Sequence, residues 1–114
     1  MKFSGTTYHN PELDETPALV ADVARTIRSM DAYNPGTATA YLQIFDAADP
    51  DDVVPGTTEP RWVLPVPAGG GNAPTYPTPL GFDYGIVVAA TSTPDGAGAP
   101  ASALTLSIQH GRVM

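Results

Sequence analysis

Thirteen prolines in 114 residues, spread from Pro11 to Pro100, leave little room for long regular elements. Proline in a helix interior removes a hydrogen bond and clashes with the preceding turn, and sheets accept it only at edges, ends and bulges. Eleven glycines punctuate the chain further. The chain is nevertheless 42% hydrophobic, with aromatic residues throughout, so it reads as turn-rich structure and not as disorder. Many short strands around one core follow: an all-β fold, a small antiparallel β-sandwich or jelly-roll-like domain. The length suits one such domain and not two.

The strongest core signal lies over 40–68, where two extended segments, 39–46 and 60–66, flank an acidic loop. Tyr41, Ile44, Phe45, Trp62, Val63 and Leu64 supply much of the apolar area there. Within the first segment Tyr41, Gln43 and Phe45 share one face and Leu42 and Ile44 the other. Pro65 and Pro67 push the second towards a sheet edge. The run over 84–90 is apolar on both faces, which predicts a central strand covered from both sides. Leu104, Leu106 and Ile108 alternate with Thr105, Ser107 and Gln109, the pattern of a half-buried final strand.

Asn34-Pro35-Gly36 is a turn signal and predicts a hairpin between strands over 24–33 and 37–46. Residues 17–33 read two ways. Leu19, Val23, Ile27 and Met30 fall at helical spacing behind a Thr16-Pro17 start. The stretch 25–30 also alternates as a strand, with Ile27 on one face and Thr26, Arg28 and Met30 on the other. Residues 1–18 are polar and aperiodic; they read as an extended N-terminal arm with a short strand over 3–9, leaving 19–114 as the single β-sandwich domain. The glycines at 69–71 read as a flexible connection.

A net charge of −7, opposed only by Lys2, Arg25, Arg28, Arg61 and Arg112, argues against nucleic acid and against an anionic membrane surface as partners. No apolar run approaches the ~20 residues that span a bilayer. Met1-Lys2-Phe3 leads into polar residues, which gives no secretory signal and points to synthesis in a cytoplasm. With no cysteine there is no disulfide and no thiolate chemistry.

Few residues suggest chemistry. Asp46, Asp49, Asp51 and Asp52 cluster as calcium ligands do, but without an EF-hand's central glycine or its bidentate glutamate. A solvated turn held by Asx hydrogen bonds explains them better. His9 and His110 lie at opposite ends of the chain, and no spacing joins them to a nucleophile or a metal set. Trp62, Tyr76, Phe82 and Tyr84 read as core or interface aromatics, with a sugar-stacking platform as the alternative. No catalytic residue, no metal ligand set and no cofactor is expected.

Four segments resemble a group of small tailed-phage virion proteins, β-sandwich domains of the head decoration (cement) type. They are Thr26-Ile27-Arg28-Ser29-Met30-Asp31-Ala32-Tyr33-Asn34; Ala40-Tyr41-Leu42-Gln43-Ile44-Phe45-Asp46-Ala47; Val54-Pro55-Gly56 leading to Leu64-Pro65-Val66-Pro67-Ala68-Gly69; and 79–93, centred on Tyr84-Gly85-Ile86-Val87-Val88-Ala89-Ala90. Together they cover about residues 20–95. The resemblance implies strands at 24–33 and 39–46, and so a strand where the helical spacing competes. It further implies a non-enzymatic capsid protein of the outer virion surface, made in the host cytoplasm, with the major capsid protein and its own copies (a homodimer or homotrimer) as partners. On that expectation Phe3, Tyr8, Trp62, Tyr84, Ile86 and Val88 form the capsid or oligomer interface. The alternative is a host-recognition module of a head fibre or tail, with a glycan or calcium site at Asp49, Asp51, Asp52, Trp62 and Tyr76.

Overall fold

Alternating side chains divide the chain into two layers. In the computed structural model, which describes residues 5–112, nine strands form two antiparallel sheets. The strands are β1 (Thr6–Leu13), β2 (Ala18–Ala21), β3 (Arg25–Asn34), β4 (Ala40–Phe45), β5 (Trp62–Val66), β6 (Gly70–Asn72), β7 (Thr75–Phe82), β8 (Ile86–Thr91) and β9 (Leu104–Arg112). The first sheet runs β1-β9-β3, and the far edge of β3 is shared by β6 and β7. The second runs β2-β8-β4-β5. No helix among the described residues is long and apolar enough to cross a membrane.

The core lies between the sheets. Leu42, Ile44, Ile86 and Val88 from the second sheet meet Ile27, Met30, Leu106 and Ile108 from the first. Burying each such side chain contributes about 1.5–3 kcal/mol. The outer faces differ. The first sheet's is polar, with Thr7 donating to Gln109 and His9 bonded to Ser107. On the second, Phe45, Val87 and Ala89 pack with Val53 under the β4–β5 loop. That loop meets the β8–β9 loop where Gly56, at φ +86°, approaches Ala97. Strand β8 is therefore buried on both faces, as its unbroken apolar run predicts.

Several expectations are corrected. Asn34-Pro35-Gly36 does not close a hairpin, because β3 and β4 belong to different sheets. The turn is a corner between layers, held by the buried Asn34. Its Nδ2 donates to the carbonyls of Ala38 (2.9 Å) and Val66 (3.0 Å), and its Oδ1 accepts from the Gly36 N–H. Ile27 and Met30 do not face opposite ways; both are core residues, since a register shift at Arg28 reverses the alternation. Residues 6–13 are not a separate arm but an edge strand hydrogen-bonded to β9, with Leu13 in the core. The glycine run is partly ordered, Gly70 and Gly71 pairing with β3.

Replacing Asn34 by Ala leaves the Val66 carbonyl and the Gly36 N–H without these partners. Two such losses cost about 2–4 kcal/mol. The expected drop in melting temperature, on the order of 10 °C, is read by calorimetry.

Candidate functional site

The antiparallel registers place the ends of β2, β4, β7 and β9 and the starts of β1, β3, β5 and β8 at one pole of the sandwich. Three of the chain's five basic residues, Arg25, Arg61 and Arg112, lie there. So do the exposed Tyr84 (69%) and Val23, in the loops just beyond the pairing of Ala21 with Ile86.

Asp46, following β4, holds the turn that carries Tyr84. Its carboxylate accepts the N–H groups of Tyr84 (2.9 Å), Asp83 (3.1 Å) and, at longer range, Gly85 (3.4 Å). Gly85 is wedged between chains: a Cβ there would lie 2.5 Å from the carbonyl oxygens of both Ala21 and Ala47. Space, not backbone angle, demands glycine at this position.

Beside this turn runs a trough where β5 and β7, edge strands of opposite sheets, approach each other. Arg61, Trp62, Thr78, Pro79 and Phe82 help line an apolar hollow of about 300 Å³. The trough continues past the end of β4, where Asp46 and, from the segment leading into β5, Thr58, Glu59, Pro60 and Arg61 help line a more polar hollow of about 380 Å³. Arg61 is common to both, with its guanidinium 5.7 Å from the centre of the Phe82 ring, a cation–π contact. Trp62 is 40% exposed and meets Tyr76 edge-on, ring centres 5.9 Å apart at 89°. Its Nε1–H donates to the Tyr76 hydroxyl at 3.1 Å. Burial raises the Tyr76 pKa and the Trp62 hydrogen bond opposes this in part, so the phenol stays protonated.

At the same pole His110 is only 4% exposed, and its Nδ1 has no hydrogen-bond partner among the described residues. Burial lowers its pKa, and the charge of Arg25 lowers it further. Neither His110 nor Arg25 lines the trough.

The structure sorts the residues singled out from the sequence. Trp62 and Tyr84 are exposed near this pole. Ile86 and Val88 are wholly enclosed in the core of the single chain, so they offer nothing to an interface. Tyr8 packs partly buried against that core, and Phe3 lies outside the described residues. Asp49 caps a 3-10 turn (Pro50–Asp52) by accepting the Asp51 N–H at 2.9 Å. Among the described residues no three His, Asp or Glu side chains converge to hold a metal ion. Asp49, Asp51 and Asp52 do not line the trough. Arg61 and Glu59 were not singled out as site residues. No local signal marks them, since their neighbours across the trough are far away in the chain.

No protein family, curated protein or solved structure matches the chain.

Two measurements probe this pole. Gly85→Ala forces backbone on both sides to move and costs about 2–3 kcal/mol, read as a lower denaturation midpoint. For His110, the lowered folded pKa means that below about pH 6.5 the unfolded chain takes up a proton the folded chain refuses. This contribution to stability is therefore complete above that pH and lost as pH falls towards the folded pKa. Melting temperature should decline from pH 7.5 to 5.5, and His110→Gln should flatten that decline.

Proposed function

We propose that the chain is a non-enzymatic structural protein of a tailed-phage virion. In this reading it is a capsid decoration protein that bridges major capsid protein subunits on the outer surface of the head. The four-segment resemblance motivates this reading, and one structural observation supports it. The pole of the sandwich exposes Arg112, Tyr84 and Val23, with the partly buried Arg25 paired beside Arg112. Arginine and tyrosine with an apolar neighbour are the residue types that anchor protein–protein contacts. The turn bearing Tyr84 is fixed beforehand by Asp46 and Gly85, so little ordering entropy opposes docking. Repetition over a lattice, together with assembly as a homodimer or homotrimer, turns modest single contacts into stable attachment.

Sedimentation of the purified protein with heads lacking decoration tests the reading. Saturable binding at a fixed ratio is expected. Tyr84→Ala should weaken it by about 10-fold or more, as removal of an interface anchor does. Because Tyr84 is so exposed, its melting temperature should stay within a degree or two. Failure of the unaltered protein to sediment with heads would overturn the assignment.

A further inference from the structure

We propose that the trough between β5 and β7 binds a neutral saccharide, with one sugar ring seated on Trp62. The proposal is independent of the decoration reading, since Tyr84 does not line the trough.

The argument starts from what each wall group has left to offer. Trp62 has already committed its N–H to Tyr76, and the edge-on contact fixes the indole. Its remaining exposed surface is apolar and π-rich. Such a surface complements the C–H face of a pyranose, and not a charged or hydrogen-bonding group. The next hollow is polar. Arg61, seated over Phe82, supplies only donors, while the exposed carboxylate of Glu59 supplies only acceptors. Thr58 Oγ1 accepts the Val54 N–H at 2.9 Å, which leaves its own proton free to donate.

Donors and acceptors side by side suit hydroxyl groups, which do both. They suit no simple ion. A phosphate or uronate attracted to Arg61 would meet the carboxylates of Glu59 and Asp46 along the same wall, in a chain of net charge −7. A cation would meet the guanidinium. Pro60 and Pro79 stiffen the two rims, so the shape exists before the ligand arrives. The hollows, about 300 and 380 Å³, are at the small end of ligand sites and match one or two rings, not a long chain.

Trp62 is the only tryptophan, so its emission reports on this site alone. The full chain is titrated with glucose, galactose, mannose, N-acetylglucosamine and their disaccharides, with glucuronate and inorganic phosphate as charged controls. Calorimetry runs in parallel. At least one neutral sugar should shift the emission saturably, with Kd on the order of 1 mM. Arg61→Ala keeps the reporter and should weaken that sugar by about 10-fold, the size of one charge-assisted hydrogen bond. Trp62→Phe, followed by calorimetry, should weaken it too, with the melting temperature of both variants little changed. The proposal is overturned if no neutral sugar gives heat or an emission change up to about 10 mM. It is equally overturned if glucuronate or phosphate binds better, or if Arg61→Ala binds as tightly as the unaltered chain. Head binding by Arg61→Ala separates the two proposals: loss of sugar with heads retained supports the trough as a site of its own.

Discussion

The arrangement of the pole that carries Tyr84 and the trough depends on one carboxylate. Asp46 spends its oxygens on backbone N–H groups of the turn entering β8. A carboxylate accepting several such groups is a strong clamp, because each bond is charge-assisted. It ties the end of β4 to the start of β8 and to the end of β7, so both sheets are joined at that point. Beside it Trp62 begins β5, the strand paired with β4, and Arg61 just before it puts its N–H on the Ile44 carbonyl. The exposed tyrosine and the trough are thus positioned by the same group.

The second sheet has to manage an apolar outer face, and it does so with loops. Gln43, fully buried on β4, donates through Nε2 to Thr91 Oγ1 at 2.7 Å and to the Gly96 carbonyl at 3.0 Å. A buried amide in such a place holds irregular backbone whose polar groups would otherwise face apolar surroundings. Gln43 fastens one loop over the sheet, and Phe45 and Val53 seat the other. These loops replace the third layer that a doubly apolar strand requires.

Period-two patterns made the layers legible in the sequence. The unbroken apolar run of β8, the alternation in β9 and the proline-marked edge at β5 all lie where the residues alone indicated. What was hidden depended on partners far along the chain. The three-residue step from Ile27 to Met30 imitates a helix, yet it arises from a bulge that only the pairing with β9 reveals. Asn34-Pro35-Gly36 announces a turn but not whether the chain re-enters the same sheet. The polar face of β1 looked like an unattached arm because its partner lies about a hundred residues later. At the site, Trp62 was visible by type. The trough was not, because it forms between edges of different sheets.

The position of β9 governs when the molecule can exist at all. It is the last of the described strands, yet it lies between β1 and β3 in the first sheet. On a ribosome β1 emerges early and has no partner in its sheet until β9 appears, whereas β3 can pair along its other edge with β6 and β7. The second sheet, complete by β8, must meanwhile keep its inner face from solvent without its natural cover. Closure of the first sheet therefore waits for β9, whatever has been made before it. A nascent chain held short of β9 is the form in which exposed core strands are open to chaperones or to aggregation.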